Sequence, residues 1–114
     1  MKKKIILPIK KKWYDMILKG EKKEEYREIK PHYDSRLPKE FGMFREGKRL
    51  MKGNVYPPED LSERVILFRN GYSRNSPSFS ALCSLSIGQG KTEWGAEPGK
   101  EYYILTVREI LKDV

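Results

Sequence analysis

Trp13-Tyr14-Asp15-Met16-Ile17-Leu18-Lys19-Gly20-Glu21-Lys22-Lys23-Glu24-Glu25-Tyr26-Arg27-Glu28-Ile29 changes its hydrophobic period halfway along. Before Gly20, Trp13, Met16 and Ile17 recur at helical spacing while Lys10, Lys11, Lys12, Asp15 and Lys19 are polar, which predicts a short amphipathic helix. Gly20 stands where a helix end wants a left-handed residue, and Lys19 in the last turn suits the negative end of the macrodipole. After it, Glu25, Arg27 and Ile29 alternate with Glu24, Tyr26 and Glu28, the period of an extended strand.

Pleating sends Glu25 and Arg27 to one face of that strand and Lys22 to the other, so the three converge only if Lys22 lies in the turn or at a bulge. Convergence would give a carboxylate flanked by two cations, suited to binding phosphate or a polar base edge, or to tuning a lysine for acid-base work. The competing reading is a solvated strand edge decorated with charge against edge pairing.

The pattern Gly20-x-Lys22-x-x-Glu25-x-Arg27, behind a helix and the strand Ile5-Ile6-Leu7-Pro8-Ile9, resembles the signature of the ASCH family of the PUA-like superfamily. Phe68-Arg69-Asn70-Gly71-Tyr72-Ser73 and Trp94-Gly95-Ala96-Glu97-Pro98-Gly99-Lys100-Glu101-Tyr102-Tyr103 look like stretches of the small stand-alone ASCH proteins of bacteria and phages. The likeness spans most of the chain and is weakest between Arg36 and Arg64. It implies a small PUA-like barrel whose helix-barrel cleft meets RNA or a nucleotide. Lys22, Glu25 and Arg27 would face that cleft, with Arg69, Asn70, Tyr72 and Trp94 on the opposite wall. Lys22 and Arg27 would contact phosphate or base edges, and Glu25 would orient them and accept from a base amine. Family members that hydrolyse acylated cytidine or cleave RNA raise a second expectation, a hydrolase with Lys22 and Glu25 as acid and base. In the amidohydrolases a threonine follows the lysine three positions on. Here Glu25 stands there, which counts against the amidase and leaves a ribonuclease open.

With 114 residues the chain is expected to form a single domain, 1–114. Charged residues make up 35% of it, so the surface is heavily solvated. Of the net charge of +8, residues 1–30 hold 11 Lys or Arg against 5 Asp or Glu, and the basic excess therefore surrounds the motif. Such a patch concentrates phosphate polymers and makes binding salt-dependent, although a charge of this size also serves solubility alone. No apolar run approaches the ~20 residues of a membrane span. Met1-Lys2-Lys3-Lys4 lacks the apolar region of a secretory signal, and a cytoplasmic location without membrane partners is expected. Cys83 alternates with Phe79, Ala81, Leu85 and Ile87 on one strand face, which marks it as core rather than nucleophile. One cysteine and one histidine, His32, offer no zinc constellation, so neither metal nor cofactor is expected.

Further strands are expected at Lys3 to Ile9, Lys23 to Ile29, Val65 to Arg69, Phe79 to Ile87 and Tyr102 to Arg108, with one more possible in the middle. Pro31 closes the second, and His32 to Leu37 reads as a turn of helix. Pro38 to Arg64, punctuated by Gly42, Gly47, Gly53, Pro57 and Pro58, reads as loop with short helical or strand pieces. Phe41, Met43 and Phe44 would pack on the body, and Lys39, Arg45, Lys48, Arg49 and Lys52 would extend a basic surface. Asn70-Gly71 is a turn signal within a longer loop. Gly90-Lys91-Thr92 is no P-loop, since Leu85 stands where the first glycine is needed. Trp94 either stacks on a base or plugs a barrel end. The fold class expected is α+β: a small mixed β-barrel of five to six strands, one main helix and short helices at its ends.

Overall fold

Gly20 takes a left-handed φ of 81°. Behind it the amides of Gly20 and Glu21 donate back to the carbonyls of Ile17 and Met16 at 3.0 and 2.8 Å, the paired bonds of a Schellman helix end. The computed structural model describes residues 5–53 and 62–111. Lys3 and Lys4 of the expected first strand, Pro57 and Pro58 of the middle segment and residues 112–114 lie outside the described residues. Within them the order is β1 (Ile5–Ile9), α1 (Lys11–Leu18), β2 (Glu24–Glu28), α2 (Pro31–Asp34), α3 (Leu37–Glu40), β3 (Met43–Glu46) and β4 (Arg49–Lys52). Then follow β5 (Arg64–Asn70), β6 (Ser78–Gln89), a single 3-10 turn (Thr92–Trp94) and β7 (Glu101–Leu111).

The fold is α+β, built on a five-stranded sheet in the order β1-β5-β6-β7-β2 that curls into a half-barrel. It is a mixed sheet: β1 runs parallel to β5 and the other neighbours are antiparallel. Long β6 and β7 carry the curl, and between Leu82 and Cys83 their register shifts, so that Arg108 is an extra residue on β7. A bulge of this kind bends and twists its strand. Among the described residues β1 and β2 are its edges, and the half-barrel is compatible with the small barrel expected. Their approach is bridged by a side chain: Arg27 Nη2 of β2 donates to the Pro8 carbonyl of β1 at 2.8 Å.

Inside the curve lie Leu7 and Ile9 of β1, Ile66 and Phe68 of β5, Cys83 and Leu85 of β6, and Tyr103 and Leu105 of β7. Helix α1 closes one end, with Tyr14 and Ile17 buried. Trp13 and Met16, expected in its apolar stripe, are half-buried at the stripe's margin. The middle segment contains the short pieces expected of it, in α3, β3 and β4. Leu37 and Phe41 are fully buried in the same core, and β3 pairs with β4 as a separate hairpin. Phe44, expected to pack, is 47% exposed, since it alternates with the half-buried Met43 and Arg45 on this short strand. Tyr102 and Ile104 occupy the outer face of β7 and are buried there with Ala96, under the segment that contains the 3-10 turn. Cys83 is fully buried, and burial pushes its thiol up to about 12, as expected of a core residue.

Candidate functional site

Opposite each other in the β2-β7 ladder stand Glu25 and Leu105, and Arg27 and Tyr103. Directly paired residues share a face, and Tyr103 and Leu105 belong to the core. The charges of the motif therefore point to the inner side of the sheet, at the end where α1 enters. Lys22 precedes the strand, in the turn, with its amide bonded to the Met16 carbonyl at 3.1 Å. From there its side chain joins the other two.

The resulting cluster is tightly bonded. Lys22 Nζ donates to Glu25 Oε1 at 2.9 Å and to the main-chain oxygen of Glu24. Glu25 Oε2 lies 3.1 Å from Arg27 Nη2, and Arg27 Nη1 points to the Tyr33 hydroxyl at 3.4 Å. The Lys22 side chain is fully buried and that of Glu25 is 9% exposed. A buried ammonium needs more than one carboxylate to replace its water. Here it also lies 5.3 Å from the Trp13 ring centre and 5.0 Å from that of Tyr26, within reach of both π faces. Burial pulls the lysine below its ordinary pKa, and the neighbouring Glu25 carboxylate opposes that fall.

Two clefts open on either side of this cluster and share Lys10, Trp13, Glu25 and Arg27. One, of about 450 Å³, runs between β1 and the β5-β6 loop, with Asn70 and Tyr72 on its far wall. The other, of about 420 Å³, lies between β2 and the 3-10 turn, with Tyr33, Trp94 and Lys100 among its walls. Glu25 and Arg27 thus reach open space. Lys22, expected to meet phosphate or a base edge, lies behind Glu25 and lines neither cleft. Asn70 and Tyr72 line the first cleft together with Glu25 and Arg27, and Tyr72 is 88% exposed. Arg69, opposite Pro8 in the β1-β5 pair, borders neither cleft. Trp94 belongs to neither apolar cluster, so it is not a barrel plug; Lys91 Nζ sits 4.5 Å over its ring.

Sequence reasoning gave Trp13 to the core and left Tyr26, Tyr33 and Lys10 out of the site. Trp13 is wedged against the second cleft's rim, where a Cβ on Gly95 would come within 3.0 Å of its ring. Tyr26 fixes that rim: its hydroxyl donates to Glu24 Oε1 at 2.7 Å and accepts from the Lys91 amide at 2.9 Å. Among the described residues no group of His, Cys, Asp or Glu is placed to hold a metal ion, and no helix is long and apolar enough to cross a membrane. No protein-family model, curated protein or solved structure matches the chain.

Proposed function

We propose that the chain is a nucleic-acid-binding module that holds single-stranded RNA against the Glu25-Arg27 face, as the ASCH resemblance led us to expect. The observation that carries this reading is the pair of clefts meeting at Arg27, Lys10 and Trp13: cations and an aromatic face side by side, on a chain of net charge +8. Phosphates take the cations, and bases, each with a π face, take the rings. Lys22 serves from behind, holding Glu25 so that its second oxygen orients Arg27. If phosphate contact dominates, affinity for unrelated single-stranded RNAs falls steeply with salt, and Arg27→Ala weakens all of them while lowering the salt slope by about 1. Binding that ignores salt, or no binding at low salt, overturns the reading.

One observation favours the hydrolase as a second reading: a lysine with a lowered pKa bonded to a carboxylate, the pairing from which acid-base chemistry is built. Against it, the ammonium has no exposed surface with which to meet a substrate. The expected outcome is no release of cytidine from a nucleoside acetylated on its exocyclic amine, and no RNA cleavage. Turnover that disappears in both Lys22→Ala and Glu25→Ala would reverse the ranking.

A further inference from the structure

The two clefts differ in chemistry although they share a floor. The first is lined by Lys10, Lys11 and Arg27 with one carboxylate, Glu25, and Lys11 also pairs with Asp15 at 2.6 Å outside the lining. In the second, Lys10, Arg27, Lys30 and Lys100 face three carboxylates, Glu25, Glu28 and Glu97. A phosphate gains in the first and gains little in the second, where the carboxylates cancel most of the attraction. Carboxylates do have a use in binding nucleic acid: they accept hydrogen bonds from the amines of bases. Aromatic walls add to the contrast. Trp13, Tyr33 and Trp94 border the second cleft, whereas the first has Trp13 and, at its mouth, the exposed Tyr72.

We propose that one nucleic-acid strand crosses both clefts with divided roles: the Tyr72 cleft holds backbone phosphate, and the Trp94 cleft holds a base that bears an exocyclic amine. This rests on the nucleic-acid reading above and goes beyond it by assigning base and backbone to separate walls. Both volumes fall in the range of ordinary ligand sites, about 300–1,000 Å³. The shared floor of Trp13 and Arg27 makes the clefts one continuous track. Uracil, which offers carbonyls where cytosine and adenine offer an amine, would bring oxygen lone pairs against Glu28 and Glu97, so the Trp94 cleft disfavours it.

The test uses the full chain and fluorescently labelled oligocytidylate, oligoadenylate and oligouridylate, each in ribo and deoxyribo form, titrated by anisotropy across a salt series. The tighter sugar series identifies the natural polymer. The native protein should bind oligocytidylate and oligoadenylate about tenfold tighter than oligouridylate, the worth of one good base contact. Glu97→Gln should bring that ratio towards one and leave the salt slope alone. Lys11→Gln should lower the slope by about 1 and leave the ratio alone. Both positions are safe for folding, since their side chains are 71% and 75% exposed. Native binding without a preference for amine-bearing bases, or both variants moving the same readout, overturns the division of roles and leaves the nucleic-acid reading standing. Failure of the native protein to bind any oligonucleotide at low salt overturns both.

Discussion

The Lys22 side chain is fully buried, and its neighbours show what surrounds its Nζ in place of solvent. The carboxylate of Glu25, a main-chain oxygen and two aromatic faces replace the hydration shell. Removing the lysine alone strands Glu25 with half of its pairing. Lys22→Ala is therefore expected to lower the unfolding free energy by about 3–5 kcal/mol in urea titrations, with part recovered on adding Glu25→Gln. A loss below about 1 kcal/mol would mean that water takes over the role of the ammonium. The pH dependence has a definite sign. The folded lysine's pKa lies below the unfolded value of ~10.4, so the unfolded chain binds the extra proton between the two. This group's contribution to stability consequently rises as pH climbs through that window, and Lys22→Met should abolish the rise.

Two elements add polar clamps to their apolar contacts, Ala96 with Tyr102 and Ile104 in one and Met43 and Leu50 against the core in the other. The segment from Gly90 to Ala96 rests on the Tyr26 ring, where a Cβ added to Gly90 would come within 2.6 Å of the ring and 2.8 Å of Ala96 Cβ. Tyr26 cannot swing aside without breaking its bonds to Glu24 and Lys91. Gly90→Ala should cost about 1–3 kcal/mol by thermal or urea unfolding, the usual penalty of overpacking, and loosen the wall that bears Trp94. The β3-β4 hairpin is tied to α2 by Arg45, whose Nε and Nη2 donate to the two oxygens of Asp34 at 2.9 and 2.6 Å, while Tyr103 also donates to Asp34. Chiefly through Arg45, the Asp34 carboxyl is held below its usual range. Its stabilisation is thus complete above the ordinary ~3.9 and lost as pH falls through the lowered folded value. Asp34→Asn should flatten the acid limb of the stability curve and speed amide exchange in the hairpin.

At the scale of the whole molecule, a five-stranded curled sheet leaves two edges, and Arg27 is the bridge between them. Its Nη2 donates to the Pro8 carbonyl on the other strand and pairs with Glu25 on its own, while Nη1 reaches the Tyr33 hydroxyl, a two-nitrogen spread that a lysine's single nitrogen does not reproduce. Arg27→Lys keeps the net charge of +8 while breaking the fork. The expected outcome is a loss of about 1.5–3 kcal/mol in stability, with faster exchange of β1 and β2 amides. The steep salt dependence of polyanion binding should be retained. If β1 and β2 protection does not change, the edges are held by something other than this side chain.

Local period and local turn chemistry were enough for much of this. Gly20 ends α1 because only a residue free at positive φ closes a Schellman turn without strain, and that requirement lies within six residues of chain. The alternation of Glu25 with Arg27, and of Phe79, Ala81, Cys83 and Leu85, says which side chains share a face because pleating has a period of two. The apolar side chains of Phe79 to Leu85 also mark their face as the inside, whereas nothing in the alternation of Glu25 with Arg27 says which way those two point. That was decided by the pairing of β2 with β7, which sets Glu25 beside Leu105 and Arg27 beside Tyr103 and so turns a run of charges, ordinary on any solvated edge, into a buried cluster. The middle segment is mixed: Phe41 was expected to pack on the body and does, whereas Leu37 carries no sustained period and is core only through the folded sheet it packs against. Pro8, Tyr33 and Trp13 meet Arg27 and Lys22 across distances in sequence that no local pattern spans, so their part in the site exists only once the chain has folded.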